Sequence, residues 1–169
     1  MSTAKAIQEL IDREAVREVV QRVCRAMDRA DYELFLSAYH SDAWDDHGYY
    51  KGPVSKFKPG SIFRADSVKS LLHHITTHQV SIEGDVALSE AYYIAVQRAE
   101  LGGELYDTTF FGRYHDRLER RDGQWKIADR LTIFDSTRVD KVTATLDIPG
   151  AVAGLASKED PTYLRVYGK

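Results

Sequence analysis

The hydrophobic period of this 169-residue chain changes near residue 78, and that change limits the folds open to it. Before it, apolar residues recur at three- and four-residue steps; after it, they alternate with polar ones. Helices therefore come first and strands second, the order of an α+β domain with helices packed on one face of a curved antiparallel sheet. One domain is expected at this length. A chain of about 150 residues hides roughly 70% of its unfolded surface, enough for a sizeable core.

The spacing predicts a first helix from Ala4 to about Asp28, with Ile7, Leu10, Ile11, Val16, Val19, Val20, Val23, Cys24 and Met27 on its apolar side. Asp31 is placed to cap a short second helix carrying Tyr32, Leu34, Phe35 and Ala38. Residues 40–60 read as a loop punctuated by Gly48, Gly52, Pro53, Pro59 and Gly60, with one short strand near Tyr49 and Tyr50. A third helix is expected from about Ala65 to His74, with Val68, Leu71, Leu72 and Ile75 on one side.

Alternation then takes over. His78, Val80 and Ile82 share one strand face, and Glu83-Gly84-Asp85 makes a turn. Val86–Arg98, Leu105–Arg120 and Trp125–Phe134 read as three further strands, joined at Gly102-Gly103 and at Asp122-Gly123. The mixed-charge run from Arg117 to Asp122 reads as a solvated hairpin end. The domain is therefore drawn at 1–135, and 136–169 as a C-terminal extension. Ile148, Val152, Leu155, Tyr163, Leu164 and Tyr167 argue that part of this extension packs, on the domain or on a neighbouring subunit.

Composition narrows the function. Net charge is −3 with no basic stripe, so the electrostatic footprint of nucleic-acid binding is missing. No apolar run approaches the roughly 20 residues that cross a bilayer, and Met1–Leu10 lacks the features of a secretory signal. A cytoplasmic location is expected. Cys24 is the single cysteine and reads as a small core residue.

Asp28 is the candidate that periodicity singles out. Val20, Cys24 and Asp28 lie at i, i+4 and i+8, so the carboxylate continues the apolar stripe. It also falls at a helix C-terminus, where the macrodipole disfavours negative charge. A buried carboxylate needs a partner. His78 shares a face with Val80 and Ile82, pointing at the expected core. An Asp–His pair in an apolar cavity could abstract a proton with no cofactor, because the carboxylate fixes the tautomer and leaves the other ring nitrogen as base. His73, His74 and His78 are close in sequence but complete no metal motif, so no metal is expected. Ten tyrosines and six phenylalanines, many on or beside predicted strands, could wall a pocket for an aromatic ligand.

The order of elements, the pattern Arg25–Asp28, the segment Tyr50-Lys51-Gly52-Pro53, the stretch His74–His78 and the hairpin Arg120–Lys126 together resemble the SnoaL-like branch of the nuclear-transport-factor-2-like superfamily. The resemblance spans roughly residues 5–135 and is nearest to the hexachlorocyclohexane dehydrochlorinase and dehydratase-type members. It implies a cone-shaped α+β barrel on three N-terminal helices, a homotrimer or dimer, and no cofactor. It also implies that His78 is the proton-abstracting histidine and Asp28 its partner, and that Arg130 falls close to a family arginine near that aspartate. The sequence departs from the family at Val23, where those members carry a lysine or tyrosine that helps the leaving group depart. A replacement acid would come from His47, Tyr50, Asp107 or Tyr114; with Phe110 and Arg130, these are the expected substrate contacts.

The function expected is therefore a cofactor-independent lyase on a hydrophobic cyclic or aromatic small molecule, eliminating water, halide or formaldehyde. The alternatives are an isomerase or polyketide cyclase in the same pocket, or a non-catalytic ligand-binding or assembly domain.

Overall fold

The structure, a computed structural model, describes residues 2–57, 67–146 and 148–164. Helix α1 (Thr3–Asp28) is capped by Ser2 and buries Val16, Val19, Val20, Val23, Cys24, Ala26 and Met27. Ile7, Leu10 and Ile11, expected on the buried stripe, are exposed, because only the second half of α1 lies against the core. Asp31 caps α2 (Tyr32–Ser37) by accepting the Leu34 backbone N–H at 3.0 Å. Burial raises the Cys24 thiol to about 12, in keeping with a core residue.

Six strands follow: β1 (Tyr39–Asp46), β2 (Lys51–Pro53), β3 (Val68–Glu83), β4 (Val86–Leu101), β5 (Glu104–Arg121) and β6 (Gln124–Lys141). They form one curved sheet in the order β2-β1-β6-β5-β4-β3. All neighbours are antiparallel except β1 and β6, which run parallel. The expected antiparallel sheet is thus a mixed one, and it does not close into a barrel: β2 and β3 are its two edges.

Two sequence expectations change here. Tyr39–Asp46 is a strand and Val54–Lys56 a single 3-10 turn where a loop was expected, and the short strand expected near Tyr49 and Tyr50 falls at Lys51–Pro53. The third helix does not exist from Val68 onward, where β3 has already begun; its expected start at Ala65 lies outside the described residues. The sheet is therefore backed by two N-terminal helices among the described residues. The error has a physical cause. A bulge between Ile75 and His78 shifts the β3–β4 register. Leu71, His73 and Ile75 face the helices before it, and His78, Val80 and Ile82 face them after it. An extra strand residue reverses which positions face inward. The register also slips between Val68 and Ser70, so inward Val68 and Leu71 stand three apart, and with exposed Leu72 and inward Ile75 they imitate a helical period.

A second bulge does the same in β6. The register slips between Arg117 and Leu118, so Trp125 and Ile127 point inward before it and Arg130 and Thr132 after it.

The core divides into two clusters. Val16, Val19, Val23, Phe35, Leu118, Trp125 and Ile127 belong to the larger one. Val20, Cys24, Ala91, Tyr93, Ala95 and Tyr114 form the smaller. The β5–β6 hairpin end is tied down rather than simply solvated. Arg120 donates to both oxygens of Asp12 in α1, at 2.9 and 3.0 Å, and Trp125 Nε1 donates to the same carboxylate at 3.0 Å.

The chain beyond 135 does not divide cleanly from the domain, since β6 runs on to Lys141. Its far end, α3 (Pro161–Leu164), returns to the α1–α2 corner of the same chain. Tyr163 Oη donates to Asp31 Oδ2 at 3.0 Å, and the Arg25 guanidinium lies 4.8 Å over the Tyr163 ring. Among the described residues no helix is long and apolar enough to cross a membrane.

Candidate functional site

The carboxylate of Asp28 does meet a histidine, but it is His73. Asp28 Oδ1 lies 2.6 Å from His73 Nδ1, and Oδ2 accepts the His73 backbone N–H at 3.1 Å. Both side chains are largely buried. These bonds answer the cost of a negative charge at the C-terminus of α1. A carboxylate only accepts, so His73 Nδ1 carries a proton, and in the neutral ring Nε2 keeps its lone pair.

His78, the partner expected from the sequence, instead bonds Ser89 Oγ at 2.8 Å. Burial, with the Arg17 charge behind it, lowers its pKa below the ordinary imidazole value. It faces the helix side of the sheet as anticipated, but on the other side of the bulge from Asp28's partner.

His73 lines a cavity of about 400 Å³ walled by the sheet, by the end of α1 at Met27 and by the turn after β1. That volume is in the range of small-molecule sites. His78 does not line it. Met27 and Leu71 supply part of the apolar wall, Ser67, Gln97 and Thr108 add polar groups, and five aromatic rings line it: Tyr49, Tyr93, Phe110, Tyr114 and Phe134. Tyr93 and Tyr114 stack with centroids 4.5 Å apart, and Phe110 meets Phe134 edge-on at 6.3 Å.

A second carboxylate–histidine pair reaches the same cavity. β1 ends with Ala43, Asp45 and then His47 at two-residue steps on its inward side. Asp45 is fully buried; it accepts from Tyr39 Oη at 2.7 Å and makes a short bond to His47 Nδ1. The turn that follows holds the ring in place. The His47 backbone N–H donates to the Tyr50 carbonyl at 2.8 Å, and Asp46 accepts the Gly48 N–H at 2.9 Å. Gly48 has φ of +76°, a conformation that favours glycine.

Among the expected substrate contacts, His47, Phe110 and Tyr114 line the cavity, and Tyr50, Asp107 and Arg130 do not. Tyr50 Oη donates to the Pro53 carbonyl at 2.7 Å. Asp107 is held by a two-point ion pair with Arg98 at 2.7 and 2.6 Å, across neighbouring strands. Arg130 lies behind the cavity wall. Its Nε and Nη2 each sit 2.7 Å from Asp116, with both side chains fully buried. Its guanidinium lies 4.3 Å over the Tyr114 ring and 5.8 Å over Tyr39. Burial alone would lower the Arg130 pKa; Asp116, followed by Tyr39, overrides this and holds it well above the ordinary value. Its bonds run to Asp116 rather than to Asp28, so it braces Tyr114 from behind.

Sequence reasoning missed His73 as Asp28's partner, together with Asp45 and Thr132. The Asp45-x-His47 spacing was the available signal for Asp45, since residues two apart on a strand share a face.

The helix-backed curved sheet and its cavity place this chain among cystatin-like, nuclear-transport-factor-2-like α+β domains. Within that class, the chain belongs to the SnoaL-like domain family, whose model matches residues 8–131. A hexachlorocyclohexane dehydrochlorinase of type 2 superposes with a TM-score of 0.72 at 16% identity, covering 86% of this chain and 99% of that one. A scytalone dehydratase-like protein from Novosphingobium aromaticivorans DSM 12444 superposes with a TM-score of 0.70 at 18% identity, covering 87% of this chain and 99% of that one. A cystatin-like protein of unknown function from Nostoc punctiforme PCC 73102 gives 0.61 at 17% identity, covering 74% and 92%. At such identities the likeness establishes the fold. A search of curated proteins returned no significant match.

Proposed function

We propose that this chain is a cofactor-independent lyase in which His73, held by Asp28, removes a proton from a hydrophobic, aromatic small molecule and so drives elimination. The observation that carries this reading is the 2.6 Å Asp28–His73 pair, set in the wall of an aromatic cavity. His73 Nε2 takes the proton from carbon, or from a hydroxyl where a carbon–carbon bond is to break. From carbon, the C–H pair forms the new carbon–carbon double bond, and halide or hydroxide departs with its own bonding pair, hydroxide taking the proton back from His73 to leave as water. From a hydroxyl, the O–H pair forms the C=O of formaldehyde, and the pair of the broken carbon–carbon bond forms the alkene as hydroxide departs from the next carbon. The imidazolium formed is stabilised by Asp28, and the surrounding apolar wall strengthens that interaction over its value in water. The dehydratase and dehydrochlorinase among the structural neighbours perform eliminations by name, which agrees with this chemistry.

The test is a panel of aryl compounds bearing β-halo, β-hydroxy or hydroxymethyl groups, read by free halide, by formaldehyde and by product mass. Turnover that falls by about 10²–10⁴ in His73→Ala, the usual worth of a general base, supports the reading. A product of unchanged mass would make the enzyme an isomerase or cyclase. No turnover of any panel member by the wild-type protein would favour a binding domain.

A further inference from the structure

Five buried side-chain atoms find no hydrogen-bond partner among the described residues, and three of them belong to residues that line the cavity: His47 Nε2, Tyr93 Oη and Thr132 Oγ1. Each of these residues is more than nine-tenths buried. A native fold rarely leaves such groups unpaired, and three around one cavity point to something that enters it.

The three are neighbours of one ring. Tyr93 stacks on Tyr114 at 4.5 Å. Thr132 is the cross-strand partner of Tyr114. The His47 ring centroid lies 6.3 Å from that of Tyr114. Gly112 makes room for the Tyr93 hydroxyl, because a Cβ there would come within 2.6 Å of Oη. Phe134 is close by: a Cβ on Gly48, the residue after His47, would touch its ring at 3.7 Å, and Thr132 and Phe134 are alternate residues of β6.

We propose that His47 Nε2, Tyr93 Oη and Thr132 Oγ1, on three residues that line the cavity with His73, form an anchoring subsite for a hydroxyl group on an aromatic ligand that displaces them slightly on entry. The donor and acceptor balance selects a hydroxyl. In the neutral His47 ring, Nδ1–H donates to the Asp45 carboxylate, which only accepts, and Nε2 is then an acceptor in need of a donor. Burial, followed by the Asp135 charge, raises the Tyr93 phenol to about 12, so it presents a neutral O–H. Thr132 presents another. A ligand hydroxyl has one proton to give and two lone pairs to offer, which matches one acceptor and two donors. A methyl ether or a bare ring leaves the His47 acceptor unserved. The aromatic walls supply stacking partners for the ring that carries the hydroxyl. This deepens the lyase reading by naming the class of substrate as a hydroxylated aromatic.

The test uses binding rather than turnover, so that it stands apart from the lyase reading. At about 30 Å³ per water-sized group, a cavity of about 400 Å³ holds a ligand of two fused rings. 2-Naphthol and 2-methoxynaphthalene are titrated by fluorescence into the wild-type protein and into Tyr93→Phe and Thr132→Val. These variants remove only the unpaired hydroxyls. The expected result is that wild type prefers the naphthol by about ten- to a hundred-fold. Each variant narrows that ratio while keeping a melting temperature at or above wild type, since each removes an unserved polar atom. Equal affinity for the two probes, binding of neither, or an unchanged ratio in both variants would overturn the subsite. So would a loss of stability in both variants, since the hydroxyls would then be structural. Absence of the preference in the wild-type protein with His73-dependent elimination intact would remove the subsite and leave the lyase reading. An intact preference with no elimination would do the reverse.

Discussion

Asp28→Asn is the substitution for which the geometry makes the sharpest demand. Asp28 presents two acceptor oxygens to two donors of the same residue, His73 Nδ1–H at 2.6 Å and the His73 backbone N–H at 3.1 Å. Asparagine keeps one acceptor and replaces the other with a donor. If its oxygen stays on the backbone N–H, its NH₂ faces Nδ1, and His73 must place its proton on Nε2, which blocks the base. If the amide flips, Nδ1–H keeps its partner, but two N–H groups confront each other at the backbone. Both arrangements lose the negative charge that stabilises the imidazolium. A charge-assisted hydrogen bond contributes about 1.5–3 kcal/mol, and loss of a competent base costs about 10²–10⁴-fold in rate. The assay is steady-state turnover on the best panel substrate, with thermal unfolding and ¹⁵N chemical shifts of the His73 ring alongside. A melting temperature lowered by several degrees, a proton moved to Nε2 and a rate down by at least about 10² are expected. A variant with near wild-type rate and the proton still on Nδ1 would refute the reasoning.

Two further substitutions probe the frame around the cavity. Asp116→Asn removes one partner of a fully buried, two-point ion pair, leaving the Arg130 charge uncompensated. That costs about 3–5 kcal/mol, or about 6–20 °C in melting temperature at this chain length; a shift under about 2 °C in thermal unfolding would contradict it. Gly112→Ala would bring a Cβ within 2.2 Å of the Ile133 carbonyl and 2.6 Å of Tyr93 Oη. The backbone oxygen cannot rotate away as a side chain does, so about 1–3 kcal/mol of destabilisation is expected, with Tyr93 displaced from its stack on Tyr114. Unfolding and the near-ultraviolet dichroism of the tyrosines read both effects.

Much of the frame was legible in the sequence because it follows from periodicity. α1, the Asp31 cap, the second half of β3 and strands β4–β6 all announce themselves by spacing. So does the oddity of Asp28, which needed a partner and has one. The identity of that partner was hidden by a single extra residue: the bulge after Ile75 puts His73 and His78 on the same face of β3, where strict alternation would allow only one. β1 was hidden for a different reason. Asp45 sits at an inward strand position, and a polar residue there reads as loop until its partners, Tyr39 and His47, are known. The parallel β1–β6 pairing joins residues about ninety apart in the chain, for which local pattern has no signal. Thr132 was missed because the second bulge turns it inward.

The account stands or falls on which histidine moves the proton. Turnover of His73→Ala and His78→Ala, measured side by side on one substrate, decides it. The expected result is a loss of about 10²–10⁴ in His73→Ala, with His78→Ala within a few-fold of wild type, because His78 bonds Ser89 and is not part of the cavity lining among the described residues. A silent His73→Ala beside an inactive, folded His78→Ala would contradict it.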